Sequence, residues 1–61
     1  MYIIEWQFTP KVRRYWHGFA SGYSTDKENA RTFPGLKAAE VEAQKIMNGW
    51  HIGASPVWKN Q

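Results

Sequence analysis

The chain has 61 residues, room for one domain, and a chain of this size buries only about 60% of the surface its unfolded form exposes. It contains no cysteine, which excludes a disulfide framework and a thiolate metal site. The formal charge of +3 permits an anionic partner without demanding one. Stability must come from packing, and four Trp, three Tyr and three Phe supply the apolar surface for it. That load is large enough to exceed what one helix covers.

Residues 2–9 alternate strictly, with Tyr2, Ile4, Trp6 and Phe8 on one face and Ile3, Glu5, Gln7 and Thr9 on the other. This pattern predicts a half-buried strand. The opening Met1-Tyr2-Ile3-Ile4 has neither the basic start nor the long apolar stretch of a signal peptide. No run approaches the ~20 apolar residues of a membrane span, so the expected location is cytoplasmic.

Residues 10–14 read as a connection, because Pro10 brings no ladder donor. They are also the most basic stretch, with Lys11, Arg13 and Arg14. Residues 15–23 predict a second strand, antiparallel to the first across that short connection. One face carries Tyr15, His17, Phe19, Ser21 and Tyr23, the other Trp16, Gly18, Ala20 and Gly22. The glycines weaken this strand or admit a bulge. Residues 24–29 are polar and turn-like, with Asp26 and Asn29 suited to bond their own backbone. Residues 30–33 form a short third strand or an extended run, since Pro34 biases Phe33 toward extended geometry.

Residues 36–48 predict the one helix, with Leu36, Ala39, Ala43, Ile46 and Met47 as its apolar stripe. Glu42 and Lys45 stand at i, i+3, where they can pair. Gly49 sits where a glycine ends a helix. Residues 50–58 predict a last strand, with Trp50, Ile52, Ala54 and Trp58 on one face and Pro56 marking an edge. Residues 59–61 read as a flexible tail after a single domain spanning 1–58. The expected architecture is an α+β two-layer sandwich of order β-β-(β)-α-β: an antiparallel sheet of three or four strands with one helix on one face.

The runs Tyr23-Ser24-Thr25-Asp26 and Asn29-Ala30-Arg31-Thr32-Phe33, followed by Leu36, Ala39 and Ala43, resemble a pattern in short uncharacterised α+β proteins of bacteria and their phages. In those, a hairpin leads through an Ala-x-x-Phe step into an alanine-rich helix. The resemblance implies a phage, prophage or plasmid accessory gene. It implies no catalytic or binding residue.

No constellation points to catalysis. His17 and His51 are the only histidines, fewer than the four Cys or His ligands of structural zinc. His17, Asp26 and a serine are the only drawable triad, and no nucleophile elbow accompanies them. Glu40 and Glu42 stand two apart on the helix and do not face each other, while Asp26 and Glu28 fall in a turn. All four read as solvated surface. The run from Gly18 to Gly22 has no following helix to make a phosphate loop. A domain of this size rarely encloses ~300 Å³, so no cofactor, metal or small-molecule substrate is expected, and the chain reads as a non-enzyme.

Two binding functions remain. If Phe19 and its neighbours face the helix, the open face shows Ile3, Trp16, Gly18, Ala20, Gly22 and Val57. That flat, partly apolar surface suits self-association or a host protein. Lys11, Arg13, Arg14, Trp16 and Trp58 are then the candidate contacts, since Trp and Arg dominate hot spots. In the reverse register Tyr15, His17, Phe19 and Tyr23 lie open beside Arg13 and Arg14, a stacking platform for single-stranded nucleic acid. The first register is favoured, because Phe19 and Tyr23 suit a core better than Gly18 and Gly22.

Overall fold

The structure, a computed structural model, describes residues 1–49 and 53–59. The expected core residues Trp50 and Ile52, together with His51, lie outside the described residues, as do Asn60 and Gln61. The elements in chain order are strands β1 (Tyr2–Thr9), β2 (Val12–Trp16) and β3 (Tyr23–Ser24), helix α1 (Leu36–Gly49) and strand β4 (Ala54–Trp58). The strands form one open antiparallel sheet of order β3-β2-β1-β4. The chain is therefore a small α+β fold.

β1 falls where its alternation places it and runs through the centre of the sheet. β2 does not match the expected strand 15–23. The Thr9 side-chain oxygen accepts the backbone N–H groups of Lys11 and Val12, at 3.3 and 3.0 Å, and closes a tight turn over Pro10 and Lys11. Most of the basic stretch expected as a connection is consequently strand. The register shifts between Gln7 and Thr9, which face Arg13 and Val12. Phe8 is thus the extra residue of a bulge.

The supposed continuation to Tyr23 is broken by two glycines. Gly18 and Gly22 have φ of 121° and 71°, a region that side chains with a Cβ rarely adopt. The Gly18 carbonyl accepts from Ser21 and Gly22 N–H, and His17 N–H donates to the Gly22 carbonyl. The chain reverses here, so β3 returns antiparallel to β2, Tyr15 against Ser24 and Trp16 against Tyr23. Residues 30–33 form no strand of their own. Phe33 makes one bridge to Tyr2, exchanging backbone hydrogen bonds of 2.8 and 2.9 Å.

This reversal corrects the favoured register. Along a single strand, Trp16 and Tyr23 would point to opposite faces. As cross-strand partners they share one. Pairing of Trp6 with both Arg14 and Ala54, and of Ile4 with Pro56, adds Ile4, Trp6, Arg14 and Ala54 to that face. α1 packs on it over β1 and β4. The core comprises Ile4, Trp16, Phe33, Ala39, Ala43, Ile46 and Ala54.

The opposite face carries Ile3, Glu5, Arg13, Tyr15 and Val57 by the same registers. It is not the flat open surface expected. Ile3 is fully buried. The Lys27 ammonium stands 5.9 Å from the Tyr15 ring, and Lys59 Nζ donates to the Glu28 carbonyl at 3.0 Å. These contacts bring the loop after β3 to this side.

In α1 the buried positions are Ala39, Glu42, Ala43 and Ile46, an i, i+3, i+4, i+7 set. Leu36, expected in the stripe, is 44% exposed. It lies on the flank of that set at 100° per residue. The first turn carries no acidic residue, so the helix dipole is unsupported there and the helix depends on its packed face.

Candidate functional site

The helix covers the β1–β4 half of its sheet face. On the β2–β3 half, the side chains that share this face are large and aromatic. Trp6 from β1, Phe8 from the bulge, Trp16 from β2, Phe19 from the glycine turn and Tyr23 from β3 line a cleft of about 460 Å³. Arg14 and Gly22 complete its walls. A domain of this size was expected not to enclose even ~300 Å³, and this cleft runs against that expectation. It exists because the helix is displaced toward β4 while the bulge at Phe8 and the turn at Phe19 raise two rings above the sheet.

The rings touch in an unbroken arc. Phe8 meets Trp6 edge-on at 5.2 Å, and Trp6 meets Tyr23 at 5.0 Å. Tyr23 meets Trp16, which meets Phe19 edge-on, each at 5.0 Å. Tilted and edge-on contacts are the favourable ones for such rings. Phe8 and Phe19 are 48% and 57% exposed and form the rims. Burial pushes the Tyr23 phenol above its ordinary pKa.

Trp16 is the floor. Its indole N–H donates to Glu42 Oε2 at 3.0 Å, and the same oxygen lies 3.5 Å from Arg31 Nη1. Its backbone carbonyl accepts the Arg31 N–H. Glu42 was read as solvated surface paired with Lys45. It is instead buried, because it occupies the i+3 position of the apolar stripe and satisfies a buried indole. That spacing from Ala39 was the available signal.

The cleft separates the expected contact residues. Arg13 and Arg14 are adjacent in a strand and therefore point to opposite faces. Arg13 lies 3.8 Å from Glu5 on the far face, whereas Arg14 stands over the Phe8 ring at 4.3 Å inside the cleft. Trp16 is 5% exposed, a core residue that shows only an aromatic wall. Trp58 packs edge-on against Tyr2 at 5.0 Å, at the other end of β1. Lys11 is exposed in the β1–β2 turn. The expected platform of Tyr15, His17, Phe19 and Tyr23 does not form, since Tyr15 and Tyr23 face opposite sides. Sequence reasoning missed Trp6, Phe8 and Phe19 as one site, because only the bulge and the glycine turn bring them together.

The drawable triad is not assembled. His17 Nε2 donates to the backbone carbonyl of Asp26 at 2.8 Å, not to its carboxylate. The Asp26 carboxylate accepts from Asn29, the side-chain bond being 2.7 Å. That bond holds the Asp26 pKa below its ordinary value. Among the described residues no three His, Asp or Glu converge, and no helix is long and apolar enough to cross a membrane. No protein-family model, curated protein or solved structure matches the chain.

Proposed function

We propose that this chain is a non-catalytic protein-interaction module and that its docking site is the aromatic cleft. On this reading the architecture is a two-layer sandwich whose helix layer leaves half a sheet face for a partner. The observation that carries it is a cleft of about 460 Å³ lined by five aromatic residues and one guanidinium. Concave, mostly apolar sites with few polar groups are where ligands bind, and aromatic residues with Arg are enriched at interface hot spots. The resemblance to short bacterial and phage proteins fits an accessory protein that acts on a host protein in the cytoplasm.

The reading is tested by selecting peptides from a displayed random library against the wild-type protein, with Phe19→Ser as the counter-selection target. The expected result is a family of peptides that bind the wild type and shift the amide and indole resonances of the cleft. Peptides that shift only other surfaces contradict the assignment. A second reading, single-stranded nucleic acid, draws on the same rings and on Arg14. It requires an affinity that falls steeply with salt.

A further inference from the structure

The nature of the partner segment follows from the arginines. Two of the three have carboxylates: Arg13 beside Glu5, Arg31 beside Glu42. Arg14 has none. Its guanidinium makes no hydrogen bond or ion pair with a described residue, its Nε is buried without an acceptor, and it stands 4.3 Å over the Phe8 ring. A guanidinium offers five donors in a fixed fork that matches a carboxylate. The cation–π contact with Phe8 holds that fork at the cleft wall.

Resting on the docking reading above, we infer that the cleft takes a peptide segment of a partner protein in which an apolar side chain stands next to a single carboxylate. The apolar side chain enters between the rings of Trp6, Phe8 and Phe19, and the carboxylate meets Arg14. Charge decides against a nucleic-acid strand. Successive phosphates need a track of cations along a groove, and among the described residues Arg14 is the one charged side chain lining this cleft. Arg13, Lys27 and Lys59 lie with the opposite face, and Arg31 is held by Glu42.

The test is an NMR titration with three probes: an acetylated, amidated hexapeptide of sequence Gly-Pro-Phe-Asp-Leu-Gly, its twin with Asn for Asp, and an eight-nucleotide oligothymidylate. The expected result is that the Asp peptide shifts the Trp6 and Trp16 indole signals and the Phe19 amide. The Asn twin should bind about tenfold more weakly, the scale of one charge-assisted contact. Arg14→Gln should erase that preference and Arg14→Lys retain part of it, with both variants keeping the wild-type amide dispersion. Equal affinity of the two peptides at the cleft overturns the carboxylate inference and leaves the docking reading standing. Salt-sensitive shifts of the cleft by the oligonucleotide, with none from the peptides, overturn both. No cleft shift from any probe overturns the inference, and the library selection then decides the docking reading separately.

Discussion

The two halves of one sheet face are built from different residues. Under the helix, the contacts are small or branched: Ile4, Ala39, Ala43, Ile46 and Ala54, all at most 4% exposed. Beyond the helix they are Trp6, Phe8, Phe19 and Tyr23 with Arg14, none of them fully covered. Small side chains let the helix approach the sheet and close-pack. Large rings that pack on one another edge-on need no second layer, and they leave a concavity. Stability and the proposed docking site are thus divided between β1–β4 and β2–β3, with Trp16 as the shared residue: core on one side, cleft floor on the other.

The largest effect is expected at that shared residue. A 61-residue domain has only about 0.05–0.15 kcal/mol of stability per residue. Trp16→Ala should remove about 3–5 kcal/mol, most of the total, and urea denaturation should find the variant largely unfolded. On the covered half, Ile46→Ala should cost about 2–5 kcal/mol by the same measurement. It should leave the cleft resonances in place in whatever fraction remains folded. A cleft that collapses with Ile46→Ala would break the division between the halves.

A smaller cost is expected at the joint between them. Glu42→Ala strands the Trp16 indole N–H in the core, at about 1–3 kcal/mol. Glu42→Gln keeps an acceptor and should recover part of it, and the Trp16 indole proton should exchange faster in the Ala variant than in the Gln variant. Smaller again is Gly22→Ala, at roughly 1–2 kcal/mol for a left-handed backbone. A Cβ there meets nothing within 4 Å, so its penalty is conformational, and a crowded neighbour would be visible as shifts beyond the turn.

Legibility in the sequence followed the range of the interactions. β1 and α1 were readable because each carries its own period, and Tyr2–Thr9 lies at the expected bounds. The stretch from Tyr15 to Tyr23 also alternates, yet it is a hairpin, because the positive φ of Gly18 and Gly22 outweighs the pattern. Alternation alone does not distinguish a long strand from two short ones joined by a tight reversal. With the reversal missed, Tyr23 falls on the face opposite Trp16, and because Phe19 and Tyr23 suited the core, Trp16 was assigned to the open surface. The cleft was not readable at all. It depends on a bulge at Phe8 and on where the helix settles, and both are set by contacts between residues distant in sequence. Arg14 was among the expected contact residues, but for membership of a cluster that the strand splits between two faces.

The most direct test of the division of labour is the affinity of Phe19→Ser for peptides selected on the wild-type protein without counter-selection. Phe19 is the most exposed ring of the cleft, so the substitution should move the urea midpoint by no more than about 0.5 kcal/mol equivalent. The account predicts loss of at least about tenfold in peptide affinity at that near-unchanged stability. Undiminished binding by a folded Phe19→Ser protein would contradict the assignment of the cleft as the docking site.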